Sequence, residues 1–219
     1  MLEKEKEQVV EYGKKLISSG LTAGTGGNIS VYNPEKKLMA ISPSGIDYFE
    51  TKPEDVVLMD LEGNIVEGEK KPSSEWSMHL IYYQKRGEEI RAVVHSHSTY
   101  STVLAICGMD LPASDYQVAI AGGNNVRCAE YATFGTRELA EVSFEAMKDR
   151  YACFLANHGL LACGPSIEQT FAIAEEVERL AGLHYMASTL GKPMILDDQE
   201  MALMIEKFKT YGQVEVKEE

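Results

Sequence analysis

Arg91-Ala-Val-Val-His95-Ser-His97-Ser98 is the stretch from which this chain is best read outward. Its apolar, β-branched run predicts a buried strand that ends at the first histidine. Side chains at i and i+2 of a strand share a face, so His95 and His97 point into one place. Two convergent neutral imidazoles make half of a transition-metal site. His158, in Ala156-Asn157-His158-Gly159, follows another short apolar run and is the third candidate. Glu75, in Pro72-Ser73-Ser74-Glu75-Trp76, brings a carboxylate. Three histidines and one glutamate fill a tetrahedral zinc site, or leave one position open when the carboxylate is displaced. Each residue also has a plainer reading. Strand-end histidines can be satisfied by hydrogen bonds, and Glu75 can be a first-turn acid that complements a helix dipole behind a serine cap. His79, one turn further on the same face, reads as packing or a hydrogen bond to the site. His184, inside a long helical stretch, reads as core or surface.

On either side of this strand the pattern alternates. Residues 3–19 carry apolar positions at helical spacing and are closed by Gly20. A glycine-rich loop, 22–28, enters a strand whose hairpin partner is 37–42. Thr51-Lys52-Pro53-Glu54 predicts a short helical turn with a threonine cap, and 56–60 with 64–67 another hairpin. Helices are expected over 74–86, 99–107, 136–150, 166–190 and 198–209, and strands over 116–120, 152–156 and 160–163. Hairpins mixed with covering helices predict an α/β fold, a three-layer α/β/α sandwich about a mixed, mainly antiparallel sheet. No linker or repeat interrupts the chain, so 1–219 reads as one domain.

Composition narrows the partners. The net charge of −13 argues against nucleic acid, because no broad basic surface meets phosphates. A small anion remains compatible if local N–H groups and a metal bind it. No apolar run reaches the roughly 18–20 residues of a membrane helix, and the N-terminus lacks a signal-peptide profile. The four cysteines form no C-x-x-C pair and read as reduced residues of a cytoplasmic protein.

The serine and glycine turns matter together. Gly26-Gly27-Asn28, Ser42-Pro43-Ser44-Gly45 and Ser73-Ser74 each offer backbone N–H groups and small hydroxyls. Gathered, they make an anion nest suited to a phosphate; singly, each is only a turn. None fits a Walker, dinucleotide or nucleophile-elbow pattern. Tyr116, Phe134, Arg137 and Tyr211 are candidates on chemistry alone.

Residues 20–30, Ser42-Pro-Ser-Gly45, Pro72-Ser-Ser-Glu75-Trp76, Val94-His-Ser-His97, Ala121-Gly-Gly-Asn124, Tyr131-Ala-Thr-Phe-Gly-Thr-Arg-Glu-Leu139 and Asn157-His-Gly159 recur in an order that resembles the class II, zinc-dependent aldolases of the L-fuculose-1-phosphate aldolase type. The likeness runs from about residue 15 to Phe208-Lys-Thr-Tyr-Gly212. It implies a four-fold cyclic homotetramer with active sites between neighbours, and one Zn2+ per subunit held by His95, His97 and His158. It makes Glu75 the fourth ligand at rest and the acid/base when substrate displaces it. Gly27, Asn28, Ser42, Gly45, Ser73 and Ser74 match the phosphate pocket. Tyr116 matches the tyrosine that protonates the aldehyde oxygen from the adjacent subunit, and Tyr211 a second tyrosine that closes over the site. The implied reaction is retro-aldol cleavage of L-fuculose 1-phosphate, or a similar ketose 1-phosphate, to dihydroxyacetone phosphate and L-lactaldehyde. There the metal stabilises the enediolate as a Lewis acid, and the carboxylate moves the hydroxymethyl C1 proton of dihydroxyacetone phosphate.

Departures are small: serines 42 and 44 stand where threonines are frequent, and Asn157 where close relatives have a second histidine. Three rival readings belong to the same superfamily. L-ribulose-5-phosphate 4-epimerases typically carry Asp where this chain has Glu75. The 131–139 block and the terminal Phe-Lys-Thr-Tyr-Gly disfavour both the epimerase and a methylthioribulose-1-phosphate dehydratase. A metal-free structural module would not keep all three histidines and Glu75.

Overall fold

The computed structural model describes residues 1–208. Tyr211 lies outside the described residues. Nine strands form one sheet in the order β4-β3-β2-β1-β5-β9-β8-β7-β6. They are β1 (Asn28–Asn33), β2 (Leu38–Ile41), β3 (Val57–Asp60), β4 (Ile65–Glu67), β5 (Ala92–Ser96), β6 (Leu111–Pro112), β7 (Asn125–Ala129), β8 (Ala152–Leu155) and β9 (Gly159–Gly164). Every neighbouring pair is antiparallel except β7 with β8. The sheet is thus mixed and mainly antiparallel, as expected.

Helices cover both faces, because alternate residues of the central strands are apolar in both directions. On one face α1 (Glu3–Ser18), α3 (Thr99–Ile106) and α5 (Ile167–Leu190) pack over Ile29, Val31, Ala92, Val94, Phe154, Leu160 and Ala162. On the other, α2 (Trp76–Arg86) and α4 (Arg137–Ala146) cover Val93, Cys153, Leu155, Leu161 and Cys163. A last helix, α6 (Asp198–Phe208), packs on the 3-10 segment Tyr116–Ala121. This is the three-layer α/β/α sandwich. Side-chain caps fix two helix starts: Thr136 accepts from the Leu139 N–H and Ser166 from the Gln169 N–H. The cysteines are all free, with Cys153 and Cys163 buried. Among the described residues no helix is long and apolar enough to cross a membrane.

Two local expectations are corrected. Residues 116–120 form 3-10 turns, not a strand. The Asp115 carboxylate accepts from the Gln117 N–H at 2.9 Å, and Gly122 closes the segment at φ 85°. The strand instead follows at β7, where Asn125-Val-Arg-Cys-Ala has no clean apolar alternation. At Pro53–Asp55 the cap is not Thr51, whose hydroxyl donates to the Asp47 carbonyl; the Asp55 carboxylate takes the Lys52 N–H instead.

Candidate active site

The site forms where β1, β5 and the β8–β9 turn end together. His95 sits in β5 between Asn28 of β1 and Leu161 of β9. It shares the α2-side face with Val93, and so does Asn28 with Ser30, because Ile29 and Val31 point the other way. The His95 Nδ1–H donates to the Leu160 carbonyl at 2.9 Å, which leaves Nε2 as the bare nitrogen. That nitrogen lies 3.0 Å from His97 Nε2, just past the strand end. His158 enters from the turn between β8 and β9, which Asn157 makes at φ 55°. The ligand atoms of His95, His97 and His158 lie within 4.8 Å of one another. Two glycines allow this closeness. A Cβ at Gly27, φ 70°, would meet the His95 carbonyl at 2.6 Å, and one at Gly159 would overlap the Ser96 carbonyl.

Glu75 precedes α2 but makes no side-chain cap, so the first-turn reading is set aside. Its carboxylate turns into the histidines and is almost fully buried. Oε2 accepts from Asn28 Nδ2 at 2.9 Å and stands 3.3 Å from His95 Nε2. Oε1 lies 3.6 Å from His158 Nε2, buried with no hydrogen-bond partner. Burial drives the His95 pKa well below its ordinary value, with His158 and His97 adding to the effect. The His97 pKa is lowered by burial and by His158. Both rings are therefore held neutral, the form that ligates metal. Converging neutral imidazoles beside an orphaned carboxylate oxygen are a donor set that fits a divalent cation.

A cleft of about 400 Å³ opens over this cluster. Of the residues expected to hold phosphate, Gly27, Asn28, Gly45, Ser73 and Ser74 line it, together with Glu75, His97 and His158. Ser42 does not. Its buried Oγ accepts from the Ile29 N–H at 3.2 Å and ties β1 to the following turn. Tyr116 also lies off the cleft of its own chain, half exposed and near the Phe208 ring. Arg137 is exposed and paired with Glu141. Phe134 does reach the cleft, joined by Tyr131 and Asn157, which residue chemistry alone had not selected. The block 131–139 was the signal that contained Tyr131.

Residues 7–185 match the family model described as the class II aldolase and adducin N-terminal domain. The chain is 55% identical over 213 residues to a 5-deoxy-D-ribulose 1-phosphate aldolase of Bacillus thuringiensis serovar kurstaki, covering 97% of this chain and 99% of that protein. It is 42% identical to the L-fuculose phosphate aldolase of Escherichia coli, over 94% of each. A solved structure titled L-fuculose 1-phosphate aldolase superposes with a TM-score of 0.92 at 54% identity, covering 94% of this chain and 96% of that one.

Proposed function

We infer the substrate from the premise that this chain belongs to the class II aldolase and adducin N-terminal domain family and is an aldolase of the L-fuculose-phosphate type. The substrate is a deoxyketose 1-phosphate, cleaved to dihydroxyacetone phosphate and a short aldehyde. Two compounds lead. L-Fuculose 1-phosphate gives L-lactaldehyde, which would place the enzyme in fucose breakdown, and 5-deoxyribulose 1-phosphate gives acetaldehyde. Both end in a methyl group, which suits the exposed aromatic rings of Tyr131 and Phe134 at the cleft. The observation that carries the reading is Glu75 Oε1, buried without a partner beside three converging imidazoles.

In this reading His95, His97 and His158 hold one zinc ion per subunit, with Glu75 as the fourth ligand at rest. When bound, the metal supplies Lewis acidity at the ketose oxygens. The N–H groups and hydroxyls about Gly27, Asn28, Gly45, Ser73 and Ser74 fix the phosphate and so orient the reacting carbons. Ser42 acts behind them by shaping the turn. As the C3–C4 bond breaks, the C4 hydroxyl passes its proton to Tyr116 of a neighbouring subunit and the aldehyde forms. The electron pair stays on the three-carbon half, and Glu75 delivers a proton to that carbon. In the reverse direction Glu75 removes this proton, and Tyr116 of a neighbouring subunit protonates the aldehyde oxygen. The position of Tyr116 away from its own cleft supports a site shared between subunits; the assembly in this reading is a cytoplasmic cyclic homotetramer.

The test is a retro-aldol assay on a panel of ketose 1-phosphates. Cleavage of the two deoxyketose 1-phosphates, abolished by chelator and restored by zinc, is expected. Equal turnover of substrates ending in a hydroxymethyl group would remove the deoxyketose preference. Mixing inactive Tyr116→Phe with inactive Glu75→Gln subunits should restore some activity; no recovery places the tyrosine elsewhere.

A further inference from the structure

Behind Glu75 a chain of buried polar groups runs into the α2 layer. Asn28 Nδ2 lies 2.9 Å from Glu75 Oε2, and Asn28 Oδ1 lies 2.5 Å from His79 Nε2. His79 Nδ1 is 2.7 Å from Ser30 Oγ, which is 2.6 Å from the Tyr83 hydroxyl. His79 and Ser30 are fully buried, Tyr83 and Asn28 nearly so. The direction of every hydrogen bond follows from the carboxylate end. A carboxylate only accepts, so Asn28 must present its amide N–H to Glu75 and its carbonyl to His79. His79 then carries its proton on Nε2, and its Nδ1 accepts from the Ser30 hydroxyl. The single proton of the Tyr83 hydroxyl is shared between Ser30 Oγ at 2.6 Å and the Ser30 carbonyl at 3.1 Å. Three donors, on Asn28, His79 and Ser30, therefore point one way, toward Glu75 Oε2, and Tyr83 braces the far end.

We propose that His79 is a positioning residue for the aldol reaction, acting through Asn28 to hold Glu75 Oε2 so that Oε1 faces the reacting carbon. The proposal rests on the reading of Glu75 as the acid/base. An amide in the middle of the chain cannot relay a proton without turning over, so the array orients the carboxylate and does not conduct. Burial, with the His95 ring beside it, pushes the His79 pKa down to about 3, which keeps the ring neutral and the donor pattern intact. Asn28 thus has a task apart from any phosphate contact. One of its two amide hydrogens is committed to Glu75, and its carbonyl is committed to His79. The sheet explains why these groups meet: Asn28 and Ser30 are i and i+2 on β1, and His79 and Tyr83 are i and i+4 on α2, so two faces zip together.

The experiment compares His79→Leu, His79→Gln and His79→Asn with Glu75→Gln in the zinc-loaded enzyme, reading kcat, KM, bound metal and hydrogen exchange at the hydroxymethyl carbon of dihydroxyacetone phosphate. His79→Leu should lower kcat and exchange by about 10- to 100-fold, leaving KM and metal content unchanged. Glutamine, whose side-chain N–H can stand where the imidazole Nε2–H stands, should recover most of the loss, and asparagine should not. Wild-type kcat in His79→Leu overturns the proposal, as does an equal loss in the leucine and glutamine variants, which marks a packing role. If His79→Leu does not fold, Ser30→Ala carries the test by releasing the imidazole tautomer, and wild-type exchange in it is equally fatal. The two layers separate cleanly. Normal exchange in Glu75→Gln removes the acid/base reading itself, whereas loss there with wild-type His79→Leu removes only the positioning role.

Discussion

Both faces of the sheet carry an apolar layer, but they differ where β1 and β5 end. Toward α1, α3 and α5, the central strands present Ile29, Val31, Val94, Phe154 and Leu160, a dry apolar layer. Toward α2, β1 and β5 present Asn28, Ser30 and His95 at alternate positions, and Glu75, just before α2, answers together with His79 and Tyr83 of the helix. The first face contributes stability through burial, about 25 cal/mol per Å² of apolar surface. The second buries polar groups, which costs free energy unless each finds a partner. Of the side chains just named, only Glu75 has an atom, Oε1, without a partner; among the described residues of α2, Ser77 Oγ is also buried without one. The contrast teaches that within the site the unmet cost falls on an oxygen the chemistry needs.

Breaking the polar face should damage function without damaging the fold. Glu75→Gln should lose about 10²- to 10⁴-fold in kcat, with an unchanged or higher melting temperature, since it removes a buried charge. A parallel drop in melting temperature would mean that Glu75 is structural. Breaking the apolar face should do the reverse. Phe154→Ala should cost about 3–5 kcal/mol of stability in urea unfolding, while the molecules that remain folded keep their kcat. Smaller effects sharpen the line between the faces. Ser42→Ala removes the acceptor for the Ile29 N–H and should lower stability by about 1–3 kcal/mol, with KM for the ketose phosphate unchanged. A selective rise in KM would put Ser42 back in the phosphate pocket.

The weakest expected effect is on pH. His79 has a folded pKa pushed down to about 3, against an ordinary value of 6.5. Between these values the unfolded chain binds the proton and the folded chain does not. Stability is therefore full above pH 6.5 and declines as pH falls toward 3. His79→Gln should flatten part of that decline in melting temperature against pH; an identical slope would deny that His79 is held neutral.

Much of this was legible in the residues. The apolar run before His95 and the i, i+2 spacing gave the strand, its face and the two imidazoles, and His158 followed by the same pattern. The run Val118-Ala-Ile-Ala121 looked like a strand because its apolarity is continuous, but Asp115 and Gly122 impose turns that periodicity does not register. Strand β7 went unseen because its burial does not alternate and its partner β8 is parallel and distant in sequence. In the site, a serine in a turn does not disclose where its hydroxyl points, so the residues alone group Ser42 with the phosphate turns. Local sequence also left Glu75 divided between helix start and catalysis. Only the third dimension shows it turned from the helix toward His95.

The central claim is that Glu75, held on one side and free on the other, exchanges a proton with the three-carbon product at a metal-dependent site. It is tested most directly by incubating the zinc-loaded protein and its Glu75→Gln variant with dihydroxyacetone phosphate in deuterated water and following the hydroxymethyl signal by NMR. Exchange by the wild type that stops with chelator, and none by the folded, metal-bearing variant, is the predicted result. Equal exchange by both would contradict the account.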